Sequence, residues 1–141
     1  MRARRETIIA VNVGGCVIPT LVAIYELGYI VAVGAPVLSA LLVACTANTL
    51  ACYAVAEPVK GVGIVMPGFV SPLIAAVIAM FMAPEAAAPV AFIAGVVGPL
   101  VGADLLHLRD VTKDSIGVAS IGGAGTFDGI VLSGIVAAYL A

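Results

Sequence analysis

The chain of 141 residues is 63% hydrophobic and only 10% charged, with a mean hydropathy of +1.25 and a net charge of −2. A soluble domain of this length could not cover its exterior with so few polar residues. Six basic residues are too few for a nucleic-acid surface, and the unbroken apolar runs exclude an outer-membrane barrel, whose strands alternate. We therefore predict an all-α, polytopic helical membrane protein that forms a single transmembrane domain over residues 1–141.

A helix needs about 20 mostly apolar residues to cross a bilayer, and five stretches of the chain approach that length. We expect the first to end at Gly28 and the third to close at Pro84. The second should stop at Glu57, because the residue before a proline avoids helical geometry. The last opens with a glycine-rich segment, so its regular helix should begin near Thr126. The predicted spans are 7–27, 34–56, 68–83, 86–106 and 118–141.

The connection over residues 60–71 is apolar but contains three glycines and Pro67. Irregular backbone is tolerated at membrane depth only where it is buried in protein or lines a water-filled cavity. We predict a re-entrant or broken segment here. An extended approach to a short third helix is the alternative.

The basic residues indicate an orientation. If each predicted span crosses once, every Lys and Arg falls on the side of the N-terminus, and the opposite loops carry Glu26 and Glu85. Basic residues in short loops favour the cytoplasmic side. We therefore expect a protein of the cell inner membrane, with its N-terminus in the cytoplasm and its C-terminus outside.

Small and polar residues within the spans are expected to hold helices together. Gly98 and Gly102, like Gly125 and Gly129, are four residues apart, a spacing that lets helices approach closely. Asn12 and Asn48 are predicted to form interhelical hydrogen bonds. The three cysteines all lie in apolar runs and are interpreted as packing residues, and no motif for a metal or a cofactor is found.

Two aspartates, Asp104 and Asp128, lie inside apolar spans, where an ionisable group costs about 2.5–3.5 kcal/mol and is a functional-site hypothesis. Each is twelve residues from Ile116, so a simple helical hairpin would bring both to a similar depth. Two carboxylates close together share a proton and can activate a water. Gly123 and Gly125 would allow a backbone to come close to that site.

Other roles for these aspartates stay open. Asp128 could cap the last helix, and Asp104 could pair with Arg109 or contact His107. Both could also bind a cation or a proton along a pathway through the membrane. Their spacing alone does not establish that they face each other.

Three blocks of sequence are similar to a known family: Ala10–Pro19, Ala88–Leu106 and Ala119–Ile130. They resemble a prokaryotic multi-pass membrane family known only as domain of unknown function 1614. That resemblance implies membrane location but no activity. Members often carry further apolar sequence ahead of the first block, so this chain is expected to be a short form or a fragment.

The order of Asp104 and Asp128, with Gly123 and Gly125 before the second, is also similar to intramembrane aspartyl proteases of the presenilin and signal-peptide-peptidase class. Thr126 and Phe127 separate the glycines from Asp128, which departs from the Gly-x-Gly-Asp motif of those enzymes. The likeness implies that Asp104 and Asp128 form a catalytic pair that cuts a membrane peptide.

Three functions follow from these patterns. The leading hypothesis is an intramembrane diaspartyl protease acting from the cytoplasmic side. The alternatives are a cation- or proton-coupled transporter or channel, and a non-catalytic membrane scaffold. The expected partners are the lipid bilayer, a membrane peptide and further copies of the chain, with no nucleic acid and no cofactor.

Overall fold

The computed structural model of the chain describes residues 7–60, 62–114, 118–122 and 129–141. In chain order, its elements are β1 (Ile8–Val11), a π-helical segment (Val13–Val17), α1 (Ile18–Val33), α2 (Ala35–Val55), β2 (Glu57–Val59), β3 (Gly63–Val65), α3 (Val70–Met82), a 3₁₀ turn (Pro84–Ala86), α4 (Ala87–Val97), a second π-helical segment (Gly98–Leu105), α5 (Leu108–Asp114), β4 (Val118–Ile121) and α6 (Gly129–Leu140).

Five apolar helical segments occur in the described part of the chain, and they correspond to the five predicted spans. Val13–Val33, Ala35–Val55 and Pro84–Lys113 are long and apolar enough to cross a membrane, whereas Val70–Met82 and Gly129–Leu140 are shorter. The prediction of a polytopic helical membrane protein is confirmed. The boundaries of the first, fourth and fifth spans differ from the prediction.

The first apolar run begins with a strand rather than with a helix. β1 pairs in parallel with β4, with Ile8 opposite Val118 and Val11 opposite Ile121. Isoleucine and valine favour extended backbone, and a run of apolar residues alone does not separate a strand from a helix. The predicted spans 7–27 and 118–141 therefore each include a strand that the sequence pattern does not reveal.

The first helix does not end at Gly28 but continues to Val33, where Gly34 ends it with a φ of +131°. A glycine inside a helix costs only about 1 kcal/mol relative to alanine, and the apolar residues after Gly28 favour continuing the helix in lipid. This continuation places Glu26, which the predicted span 7–27 puts next to its end, seven residues before the end of a helix long and apolar enough to cross a membrane.

The segment over residues 60–71 is, in its described residues, 60 and 62–71, extended or turn until α3 begins at Val70. It begins as the turn of an antiparallel hairpin in which Glu57 pairs with Val65 and Val59 with Gly63. Lys60 and Val62 are exposed at the tip of this hairpin. The described part of the segment is therefore non-helical, as expected for a broken segment or for an extended approach to α3, and its re-entry into the membrane stays a prediction.

The fourth span is followed by more structure than a simple turn. α5 and β4 lie between the second π-helical segment and α6. The equal spacing of Asp104 and Asp128 from Ile116 therefore no longer implies an equal depth, because that inference assumed a direct helical hairpin.

α4 lies at the centre of the bundle and contacts α1, α2, α3 and α6. In the span Pro84–Lys113, which contains α4, 67% of the most apolar stretch of 18 residues is buried. The corresponding share in the span Val13–Val33, which contains α1, is 17%. The core around α4 is built mainly from alanine and valine, such as Ala44, Ala79 and Val90. Such small side chains let helices approach closely, which stabilises contacts in lipid.

The bundle has two distinct ends. We call the end that carries both strand pairs and α5 the strand end, and the end that carries the connections at residues 33–35 and 82–84 the turn end. The described basic residues Lys60, Arg109 and Lys113 all belong to the strand end. Glu85 belongs to the turn end.

Candidate functional site

Asp104 lies on the second π-helical segment, near the strand end of the fourth span. Its side chain is partly buried, and Oδ2 accepts a hydrogen bond of 2.9 Å from the backbone N–H of Gly122. Asp104 therefore contacts the end of β4, and this bond ties the fourth span to the strand pair.

Position 122 requires a glycine at this contact for two reasons. Its φ of +87° is a conformation that side chains with a Cβ rarely adopt. A Cβ at this position would also lie 2.8 Å from the carbonyl carbon of Gly15 and 2.9 Å from Cβ of Cys16. The turn after β4 thus packs directly on the start of the first helix.

The interhelical hydrogen bond expected of Asn12 stays a prediction, and Asn12 completes this junction at the start of the first helix. Its side-chain oxygen accepts a 3.0 Å hydrogen bond from the N–H of Gly15 and caps the helix start. Its backbone N–H donates to the carbonyl of Ile121 at 2.9 Å. Asn12 therefore joins the cap of the first helix to the last residue of β4.

Asp128, Gly123 and Gly125 lie outside the described residues. The separation of the Asp104 and Asp128 carboxylates, on which the catalytic hypothesis depends, stays a prediction.

A second polar cluster lies deeper in the bundle and connects four helices. Asn48 on α2 donates through Nδ2 to Oγ of Ser71 on α3 at 2.9 Å and to the carbonyl of Ala94 on α4 at 2.7 Å. Oγ of Ser71 lies 2.6 Å from Oγ of Ser133 on α6. All three side chains are buried. The prediction of an interhelical role for Asn48 is confirmed.

The cluster also uses the backbone carbonyl of Gly95, to which Pro99 cannot donate a helical hydrogen bond. Proline has no N–H, so the carbonyl of Gly95, four residues earlier, loses its usual helical donor. Ser71 Oγ lies 3.5 Å from that carbonyl and is placed to donate to it. Because Ser71 can then accept from both Asn48 and Ser133, the donors and acceptors of the cluster are consistently matched.

Glycines on the fourth span create the space for this cluster. A Cβ on Gly98 would collide with the side-chain amide of Asn48, and one on Gly102 with the backbone carbonyl of Thr49. The predicted close contact at Gly98 and Gly102 is confirmed. Gly95 plays the same part towards α6, because its Cβ would lie 2.9 Å from the carbonyl oxygen of Ser133.

His107, just beyond Asp104 in the chain, is buried and held against its own helix. Its Nδ1 lies 3.1 Å from the carbonyl of Gly102 and 3.0 Å from that of Ala103. Carbonyls only accept, so Nδ1 carries the hydrogen. The imidazole stacks on Tyr53 with 4.9 Å between ring centroids. His107 therefore packs the end of the fourth span against α2.

Within the described residues, no group of three or more His, Cys, Asp or Glu side chains is placed to hold a metal ion. Cys52 is buried, and its Sγ lies 3.8 Å from the side-chain oxygen of Asn48. This cysteine belongs to the polar cluster.

A different carboxylate, which the sequence pattern places at the boundary between the first span and the loop after it, lies in a groove at the turn end. Glu26 is partly buried on α1, and with Tyr25 and Tyr29 it lines a groove of about 530 Å³. The opposite wall is the start of the fourth span, from Pro84 to Pro89. The apolar sequence that continues after Gly28 was the signal that could have placed Glu26 inside a helix.

Comparison with known proteins identifies a family and no activity. The family described as protein of unknown function (DUF1614) matches residues 1–140. No curated protein and no solved structure matches the chain. The resemblance to domain of unknown function 1614 is therefore confirmed, whereas the likeness to intramembrane aspartyl proteases receives no support.

Proposed function

This chain belongs to the DUF1614 family of proteins of unknown function, and we propose that it acts as a non-catalytic membrane scaffold. The observation that carries this proposal is the 2.9 Å hydrogen bond from the Gly122 N–H to Asp104 Oδ2. A carboxylate that fixes one part of the fold to another has a structural use. That use explains an ionisable residue within a span without any reaction.

The deeper polar cluster supports the same proposal. Asn48, Ser71 and Ser133 direct their hydrogen bonds to one another and to carbonyls of α4. In lipid, such bonds hold helices in one arrangement, because a polar group that loses its partner cannot form a hydrogen bond to water instead. A scaffold requires a fixed arrangement of this kind.

The surface through which a scaffold would contact partners is the first helix. Only 17% of the most apolar stretch of 18 residues in this span is buried. The side chains of Leu21, Ile24 and Val31 on this helix are exposed. These side chains would pack against apolar transmembrane helices of a partner, or of further copies of the chain. Lipid covers the same surface where no partner is bound.

Two other functions have less support. A diaspartyl protease needs the carboxylates of Asp104 and Asp128 to act together on one bound substrate. The family that matches this chain is one of unknown function, and no protease family matches it. A transporter needs a polar path across the bundle. Towards the turn end, the described core consists of packed apolar residues such as Ala79, Ala83 and Val90.

We also propose that the chain lies in the cell inner membrane with its strand end on the cytoplasmic side. Lys60, Arg109 and Lys113 lie at that end, and basic residues in short loops favour the cytoplasmic side. β1 starts there too, so the N-terminal side of the chain would be cytoplasmic.

Substitution of Asp104 tests the scaffold because hydrogen bonding and ionisation can be removed separately. Asp104→Asn keeps an oxygen that accepts from Gly122 but loses the charge, whereas Asp104→Ala removes both. We expect the Asp104→Asn variant to have a free energy of unfolding close to that of the wild type. The Asp104→Ala variant should have a free energy of unfolding lower by about 1–3 kcal/mol, since the buried N–H of Gly122 loses its acceptor. Unfolding in mixed micelles measures both.

Asp110→Asn is the matched control, because Asp110 is exposed on α5 and makes only a 4.0 Å contact with Lys113. The same purified proteins would be assayed in proteoliposomes for cation and proton flux and for cleavage of a transmembrane peptide. Flux or cleavage in the wild type that Asp104→Asn abolishes, with its folding intact, would refute the scaffold.

A further inference from the structure

The groove at the turn end, lined by Tyr25, Glu26, Tyr29, residues 84–89 and Ala141, combines a carboxylate on a candidate membrane span with a space of molecular size. Glu26 lies seven residues before the end of α1 at Val33, about 10 Å below that end at 1.5 Å per residue. Glu85 lies at the opposite side of the groove, in the first turn of the fourth span. Glu26 and Glu85 thus line one groove from two different helical segments.

The chemistry of the lining selects the charge of the occupant. Two carboxylates line the groove, and no Lys, Arg or His is among its lining residues in the described part of the chain. A carboxylate at membrane depth is costly unless a cation or a hydrogen-bond donor compensates it. The occupant that complements this lining carries positive charge.

The walls select the kind of cation. A Ca²⁺ ion takes 6–8 oxygen ligands, and no cluster of three or more acidic or other metal-binding side chains occurs among the described residues. The remaining walls are tyrosine rings, prolines and alanines, which suit carbon substituents. Aromatic faces attract organic ammonium groups, and about 530 Å³ is within the usual range for small-molecule sites.

We propose that this groove binds an organic ammonium cation, with Glu26 and Glu85 facing its charge and Tyr25 and Tyr29 contacting its alkyl groups. Such a group is carried by free choline-like solutes and by the headgroups of phosphatidylcholine lipids. The site is separate from Asp104 and the strand end, so it does not depend on the scaffold proposal.

Choline titration tests the groove in a detergent that carries no ammonium group. The chain has no tryptophan, so tyrosine emission reports on the rings directly, and Tyr25 and Tyr29 are two of its four tyrosines. We expect a saturable change with a dissociation constant on the order of millimolar, typical of a small ligand in an open site. Glu26→Gln should weaken binding about tenfold or more, which corresponds to about 1.4 kcal/mol.

Two matched controls and a second variant make the outcome decisive. Glu57→Gln removes one charge from the exposed hairpin at the other end, and Tyr139→Leu removes an exposed ring from α6. Neither should change choline binding, whereas Tyr29→Leu should weaken it even if Glu26→Gln folds poorly. Equal binding by the wild type, Glu26→Gln and Tyr29→Leu would overturn the proposal, as would the lack of any saturable response.

Nanodiscs of two compositions distinguish the two sources of the ammonium group. In phosphatidylglycerol, which has no ammonium group, the choline response should persist. A weaker response in phosphatidylcholine than in phosphatidylglycerol identifies the lipid headgroup as occupant. An equal response in both identifies a free solute.

Discussion

Asn48 and Ser71 are joined by a 2.9 Å hydrogen bond from Nδ2 to Oγ at a point where both side chains are fully buried. The two residues lie on α2 and α3, whose sequences are separated by the exposed β2–β3 hairpin. Since Asn48 also donates to the carbonyl of Ala94, one side chain fixes the positions of three helices.

Removal of this side chain should destabilise the bundle. Asn48→Ala removes the buried hydrogen bonds to Ser71 and to the Ala94 carbonyl, so we expect the free energy of unfolding to fall by about 1–3 kcal/mol. Unfolding in mixed micelles measures this change. Ser39→Ala is the control on the same helix, because the exposed Ser39 hydroxyl bonds only to Pro36 in the preceding turn. Equal stabilities of the two variants would contradict a structural role for the cluster.

The glycines of the bundle should differ in their tolerance of alanine. Gly98→Ala places a methyl group against the Asn48 amide, and we expect a loss of about 1–3 kcal/mol, as for other overpacked sites. Gly28→Ala meets no atom within 4 Å and should leave stability unchanged or raise it by up to about 1 kcal/mol. Thermal unfolding of the pair in one detergent measures both changes. A similar loss in both variants would show that helix contact is not what Gly98 provides.

The proposed orientation predicts a labelling pattern. In a background with Cys16, Cys45 and Cys52 replaced by alanine, Lys60→Cys and Arg109→Cys should react with an impermeant maleimide only in inverted vesicles. Glu85→Cys should react only from the other face. Reaction of Lys60→Cys and Arg109→Cys on different faces would contradict the arrangement of the spans.

Much of the architecture could be predicted because lipid imposes it. The number of apolar segments, the interhelical role of Asn48 and the close contact at Gly98 all follow from the need to satisfy polar groups and pack helices in a medium without water. The gathering of Lys60 and Arg109 at one end was also expected from the alternation of spans.

The parts that could not be predicted depend on contacts far apart in the sequence. The strand at Ile8–Val11 is stabilised by pairing with Val118–Ile121, and nothing local distinguishes it from a helix start. The role of Asp104 depends on where Gly122 lies, which spacing alone does not give. The sequence pattern places Glu26 at the end of the first span because Gly28, two residues behind it, favours a helix end. The catalytic pairing of Asp104 with Asp128 stays a prediction.

The parallel pairing of β1 with β4 also constrains how the protein is made. The paired residues are about 110 positions apart, and the ribosome releases the amino-terminal strand long before its partner exists. The first four apolar segments are therefore made while that strand has nothing to bind, and the junction of Asn12, Asp104 and Gly122 cannot close before residues 118–122 have been made. Such late, long-range pairing is slow to form and exposed to error, so nascent chains stalled before residue 118 should leave this junction open.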